Sequence, residues 1–349
     1  MILKFFKNIG PGPLIAAAFI GPGTVTVCTL AGVNFGFALL WAMALSIFAT
    51  VVLQEMAARL GIVSQKGLSE IIREEIKHPV VKILAVILIL SAIVIGNAAY
   101  EAGNISGGAL GMEAIVGNVF WEIGSIKLNV MSLLIGIIAF VLLYIGNYNV
   151  LEKVFVFLVI LMSLAFITTA ILTKPNLVEV FKNIFIPKAP EGSILSVIAL
   201  IGTTVVPYNI FLHASLAKTK WKDNSDLKSA KKDTMIAVVL GGMVSMCIII
   251  AASAIQKQSI TSASDLALGL EPLFGSFAKY FLAIGLFAAG VTSAITAPLA
   301  AAFVTDGCLG WESDLKSKKF KAVWMVIVLL GVVFSSIGFK SIEIIKFAQ

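Results

Sequence analysis

The sequence predicts an all-α membrane protein built from two inverted repeats, each opening with an interrupted transmembrane helix. Three observations carry that prediction. The 349 residues are 59% hydrophobic and only 13% charged, with a mean hydropathy of +1.02, whereas soluble domains run about 45–50% apolar and about 25% charged. Apolar runs of bilayer length, roughly 20 residues, recur along the whole chain. Two of these runs are broken near their middles, at Gly21-Pro22-Gly23-Thr24 and at Thr203-Thr204-Val205-Val206-Pro207-Tyr208-Asn209. Lipid offers freed backbone groups no partner, so a break at that depth must lie inside protein or beside a water-filled cavity. Interrupted spans in corresponding halves point to the binding site of a secondary carrier.

The spans fall at about 11–33 and about 36–62, followed by an amphipathic stretch at 67–76 expected to lie on the membrane surface. Further spans are expected at about 79–103, 128–146, 150–173, 193–216, 234–255, 273–304 and 322–338, and Lys340 to Gln349 starts a tenth. Lys4 and Lys7 ahead of the first apolar run resemble the start of a signal peptide. The run is the first of many and is broken by Gly21-Pro22-Gly23, so a retained helix is expected.

Charge sets the orientation. Lys4, Lys7, Arg59, Lys66, Arg73, Lys77, Lys82 and Lys153 fall on one side, with the clusters Lys218 to Lys232 and Lys316 to Lys321. The other side carries Lys127, Lys174, Lys182, Lys188, Lys257, Lys279, Lys340 and Lys346, sparser per loop. The positive-inside rule then makes the N-terminus cytoplasmic. The expected location is a bacterial inner (plasma) membrane, crossed many times. Because these cations sit between apolar spans, the net charge of +7 does not signal nucleic acid; lipid is the expected surrounding partner. Five spans in residues 1–173 give residues 193–349 the opposite orientation, within a single domain 1–349. Cys28, Cys247 and Cys308 are isolated, without disulfide or zinc spacing.

Pro22 lacks an amide hydrogen and Gly21 and Gly23 permit unusual dihedrals, so the carbonyls around Phe19, Ile20 and Gly21 are candidates for a cation. Amides of a half-helix starting near Gly23 suit an anionic group, and Thr24 adds a hydroxyl. In span six, Thr203, Thr204, Tyr208 and Asn209 put four polar side chains around Pro207, with Val206 beside it. Thr292, Ser293 and Thr296 in span eight offer hydroxyl oxygens to a hard coupling cation, or else bond back to their own helix. Glu101, near the outer end of its span with no basic residue nearby, is a proton-carrier candidate or an interfacial carboxylate. His213 either carries a proton or is a packed neutral imidazole. Glu55 and Arg59 have the spacing of an i,i+4 ion pair.

Three segments together resemble the Nramp family of divalent-metal transporters, over essentially the whole chain. They are Leu53-Gln54-Glu55-Met56-Ala57-Ala58-Arg59-Leu60-Gly61-Ile62-Val63, Gly202 through His213, and Gly285 through Thr296. The resemblance implies the LeuT-type fold and proton-coupled uptake of manganese or iron. It also exposes departures. The family's Asp-Pro-Gly-Asn motif has Gly21 and Thr24 at its Asp and Asn, and its Met-Pro-His-Asn motif has Val206 and Tyr208 at its Met and His. The metal ligands left at matching positions are Thr24 and Asn209. Thioether and imidazole ligands are what favour transition metals, and here neither stands at those positions. Arginines that the family pattern places in span nine are also missing. Because that pattern continues through a complete tenth helix, the sequence is expected to be C-terminally incomplete.

The first expectation is therefore transport of a divalent cation, held with more of its water shell. The alternative is a sodium- or proton-coupled carrier of a small organic solute such as an amino acid. A non-transporting sensor is less favoured, since no soluble signalling domain accompanies the spans. No cofactor is expected, and no constellation of nucleophile, base and metal marks an enzyme.

Overall fold

The computed structural model describes residues 20–124, 126–146, 149–255, 260–311, 317–337 and 340–349. The first half of span one, including Phe19, and the preceding Lys4 and Lys7 lie outside them. Helix α1 (Pro22–Phe35) begins at the first break, with Gly21 as its N-cap and Pro22 in its first turn, where a missing amide hydrogen costs nothing. Helix α2 (Leu40–Ser64) is followed by α3 (Leu68–Glu75), the amphipathic surface segment. Helix α4 (Pro79–Val116) is 38 residues long, extending well beyond the expected end near 103. An antiparallel hairpin that the hydrophobic pattern does not reveal comes next, β1 (Phe120–Ile123) and β2 (Ile126–Asn129).

Asn129 caps the following helix, α5 (Val130–Ile145), by accepting from the amides of Met131 and Ser132. Helix α6 (Asn149–Leu172) bends by 117° into the amphipathic α7 (Leu177–Phe185), which joins the halves. Span six is two helices, α8 (Ile194–Gly202) and α9 (Pro207–Lys220). Then come α10 (Leu227–Ala252), short α11 (Ala263–Ala267), α12 (Ala278–Leu309), α13 (Lys318–Ser336) and α14 (Ser341–Ala348). Spans seven and eight thus sit several residues away from their expected limits, α10 starting earlier and α12 ending later. Among the described residues, six helical segments are long and apolar enough to cross a membrane; α5 is shorter, and the bent α6–α7 pair adds a possible seventh. The chain is an integral, multi-pass membrane protein.

Packing rests on small residues, as expected where lipid tails give helices no hydrophobic reason to associate. Helix α12 runs against α4, and Gly290 lies directly on the backbone of Gly108 and the Asn104 carbonyl. Gly111 meets the backbone of α12 at Ala283 and Phe287. Asn97 fastens the same pair by donating to the Ala297 carbonyl at 2.8 Å. Helix α3 bridges two partners at the opposite end from the hairpin. Its Glu70 lies 3.7 Å from Lys218 at the end of α9, while Ser69 and Arg73 pack on Gly307 and Gly310 of α12. Lys66 pairs with Glu74 there. The Glu55–Arg59 pair forms at 2.6 Å, as its spacing predicts.

The glycine seam gives a direct test. Gly290→Val should destabilise the purified protein by about 1–3 kcal/mol, since a side chain has no room there. Gly96→Ala, which meets nothing within 4 Å, should be neutral or gain up to about 1 kcal/mol from the better helix former. Thermal melts in detergent measure both. Equal melting points for the two variants would contradict this packing.

Candidate functional site

Both proline breaks follow from local backbone chemistry. At the first, Gly21 is extended (φ −80°, ψ 175°) and its carbonyl accepts from the Val25 amide at 3.2 Å, opening α1. At the second, α8 ends at Gly202 and the chain turns through Thr203–Val205, whose amides bond back to Ala199 and Ile201. Val206 is extended and Pro207 starts α9. The Tyr100 hydroxyl of α4 donates to the Gly202 carbonyl at 2.8 Å, so a side chain of another helix covers the break.

The two breaks meet. Thr24 Oγ1 and Thr203 Oγ1 are 2.7 Å apart, both residues buried, across 179 residues of sequence. Gln349 lies against both breaks: its side-chain amide covers Gly23, and its main-chain carbonyl covers Gly202. Nothing in the sequence pattern singled this residue out, because the run that carries it begins only at α14. Asn209, in the first turn of α9, is 1% exposed. Neither its amide nitrogen nor its carbonyl oxygen has a hydrogen-bond partner. Buried amides are nearly always paired, so this one is the strongest ligand candidate at the junction. Ile20 is buried beside Gly21, Gly23 and Thr24.

Val206 and Tyr208 contribute apolar surface. Both belong to a buried cluster with Leu212 of α9, Ile93 of α4 and Ala297, Ala300 and Ala301 of α12. The Tyr208 ring stands edge-on to Tyr100, with centroids 5.7 Å apart. Thr204 does not face Thr24; its hydroxyl bonds to the Leu200 carbonyl at 3.1 Å and reaches the Met43 sulfur at 3.6 Å.

The span-eight hydroxyls take the local option. Thr292 donates to the Ala288 carbonyl at 2.7 Å and Thr296 to the Thr292 carbonyl at 2.9 Å. Ser293 is buried between them. Thr292 and Thr296 spend their donors within α12, which leaves their oxygen lone pairs for a cation, and α12 touches α1 sparingly.

Glu101 and His213 occupy separate polar positions. Glu101 is fully buried just past the middle of α4, not near the outer end of its span as the shorter predicted helix implied. Its Cγ packs on Gly331 of α13, Asn104 stands beside it, and neither carboxylate oxygen has an aligned donor. His213 Nδ1 lies 2.6 Å from Gln54 Oε1, and Nε2 lies 3.4 Å from the Thr234 hydroxyl. A neutral ring protonated at Nδ1 satisfies both, donating to Gln54 and accepting from Thr234. His213 thereby ties α9 to α2 and α10. Among the described residues, no three His, Cys, Asp or Glu side chains cluster as a metal-ion site would require.

Comparison with known proteins gives consistent matches. A family profile described as natural resistance-associated macrophage protein-like (Nramp) matches residues 12–349. A metal transporter nramp1 homolog from Dictyostelium discoideum is 30% identical over 314 residues, covering 86% of this chain and 56% of that protein. The chain therefore spans little more than half the length of that relative. The divalent metal cation transporter MntH of Yersinia pestis is 28% identical over 311 residues, covering 86% of this chain and 72% of its own. A manganese transporter from Eremococcus coleocola, crystallised as a mutant, superposes with a TM-score of 0.72 over 93% of this chain and 69% of that one, at 22% identity. That superposition shows the LeuT-type fold.

The hydroxyl bridge can be measured. In a double-mutant cycle, Thr24→Val and Thr203→Val should couple by about 0.6–1.7 kcal/mol in detergent unfolding, the span found for interhelical side-chain hydrogen bonds. Strictly additive losses would mean that the hydroxyls do not interact.

Proposed function

We propose that this chain, which belongs to the Nramp family, is a secondary-active transporter that moves a divalent metal cation by alternating access. One observation carries the reading: the N-terminus of α1 and the break between α8 and α9 meet through Thr24 and Thr203, with the unpaired Asn209 amide in the first turn of α9. Such a junction between repeats is where carriers of this architecture bind their cargo. The cation would be held by the side-chain carbonyl oxygens of Asn209 and Gln349 and the hydroxyls of Thr24 and Thr203. All four groups are neutral, and none is a thioether or imidazole. Neutral oxygens bind hard cations and do not favour transition metals. A cation held this way would keep part of its water shell.

On this reading, Glu101 is the proton carrier, since a buried carboxylate without an aligned donor gains most from accepting a proton. His213, already satisfied on both ring nitrogens, serves as a structural tie between α9 and its neighbours. The α3 end of the bundle would face the cytoplasm, as the lysine distribution requires, and the hairpin end would face outward.

A second reading is favoured because, among the described residues, no charged ligand stands where the breaks meet. Hydroxyls and amides suit a small organic solute, whose carboxylate would meet the first amides of α1, with a proton or sodium as the driving ion. Ser293, Thr292 and Thr296 would have to supply the sodium oxygens.

Uptake by the purified protein in liposomes distinguishes the two. Radiolabelled manganese should accumulate under an inward proton gradient, and Asn209→Leu should abolish accumulation. Gly21→Asp adds a carboxylate at the N-cap of α1 and should lower the apparent KM for manganese by about tenfold, since ligand charge sets affinity for such ions. No manganese flux, together with gradient-driven uptake of an amino acid, would sink the metal reading and support the solute one.

A further inference from the structure

At the hairpin end of the bundle, away from the two breaks, a cavity of about 250 Å³ opens between the end of α4, the hairpin, the segment leading into α11 and the start of α14. Its chemistry is two-sided. Glu113 of α4 faces it, held in place by the Asn129 amide, which donates to Oε1 at 2.6 Å, and by the Ser341 hydroxyl beside the same carboxylate. Asn129 is itself fixed, since its carbonyl oxygen caps α5. Lys340 faces the same cavity. Among the described residues, Glu113 and Lys340 form ion pairs neither with each other nor with any other side chain. A carboxylate without a cationic partner and a lysine without an anionic one thus line one cavity.

Neutral and apolar groups complete the lining. The Ser262 hydroxyl accepts from the Asp265 amide at 3.2 Å, which leaves its own proton free to donate. Thr261, by contrast, spends its hydroxyl proton on Asp265. Leu110, Ala114 and Phe120 supply an apolar patch. We propose that this cavity binds a small zwitterion, a free α-amino acid with an apolar side chain. The ammonium group meets Glu113, the carboxylate meets Lys340 and the Ser262 hydroxyl, and the side chain rests on Leu110, Ala114 and Phe120. A lone cation would gain Glu113 but face Lys340, and a lone anion would meet the reverse; only a molecule carrying both charges satisfies both. The cavity is smaller than the roughly 300–1,000 Å³ of drug-sized sites, which restricts the ligand to about the size of one amino acid. Because α4 belongs to the first repeat and α11 and α14 to the second, a bound amino acid touches both repeats.

The test uses the full chain in detergent, with L-leucine, isovalerate (the carboxylate alone) and isoamylamine (the ammonium alone) as probes in calorimetric titration. Leucine should bind saturably, and both single-charge probes at least about tenfold more weakly, the factor that losing one charge-assisted contact implies. Glu113→Gln and Lys340→Gln should each weaken leucine about tenfold. Lys340 is exposed, so its variant keeps the test sound should Glu113→Gln disturb folding. Asn209→Leu, which alters the junction of the two breaks, should leave the leucine affinity as it was. Three results would each overturn the proposal: no saturable leucine binding, an amine that binds as tightly as leucine, or binding lost in Asn209→Leu but kept in Lys340→Gln. The third would move leucine to the central junction and support the organic-solute reading of function.

Discussion

A hydrogen bond between two threonine hydroxyls, Thr24 and Thr203, joins the parts of the chain whose backbones cannot be left facing lipid. Pro22 opens α1, and Pro207 opens α9 after α8 has ended at Gly202; neither proline offers an amide, and at bilayer depth freed backbone groups need partners within the protein. Tyr100 of α4 caps Gly202 from the side, and Gln349 closes over Gly23 and Gly202. The remaining architecture can be understood as what is needed to hold those groups at one point.

The framework around the junction divides in two. Helices α4 and α12 are fused by a glycine seam and by the Asn97 bond to Ala297, so they behave as one stiff unit. Helices α2, α9 and α10 are tied through Gln54, His213 and Thr234. Between these units lies the apolar cluster of Val206, Tyr208, Ala297 and Ala301. Smooth apolar surfaces can slide without leaving polar groups unpaired. The proposed alternating access needs that property, and α3 spans the same boundary with a half-buried ion pair to Lys218 at 3.7 Å.

Much of this was legible from residue order, for reasons that can be named. Proline and glycine mark helix ends because their backbone limits are local, so α1 and α9 start where Pro22 and Pro207 put them. The i,i+4 spacing of Glu55 and Arg59 likewise needs only helix geometry. What the sequence did not yield was non-local. The hairpin 120–129 is held by pairing and by the Leu128–Ile337 bridge, not by an alternating pattern strong enough to see. Glu101 was expected near a helix end because the apolar run weakens after residue 103, yet α4 continues on Gly and Ala packed against α12 and α14. Thr292 and Thr296 have the right chemistry for a cation, but whether a hydroxyl turns to its own helix depends on neighbours that spacing does not encode. Gln349 carried no local signal at all.

Oxidative cross-linking of Thr24→Cys with Thr203→Cys, in a chain whose three native cysteines are replaced by alanine, tests the central claim most directly. Hydroxyl oxygens 2.7 Å apart place the substituted sulfurs within reach of a disulfide. The account predicts ready cross-linking, loss of transport in the oxidised protein and recovery on reduction. A pair of cysteines that never cross-links, or a cross-linked protein that transports at the uncross-linked rate, would contradict it.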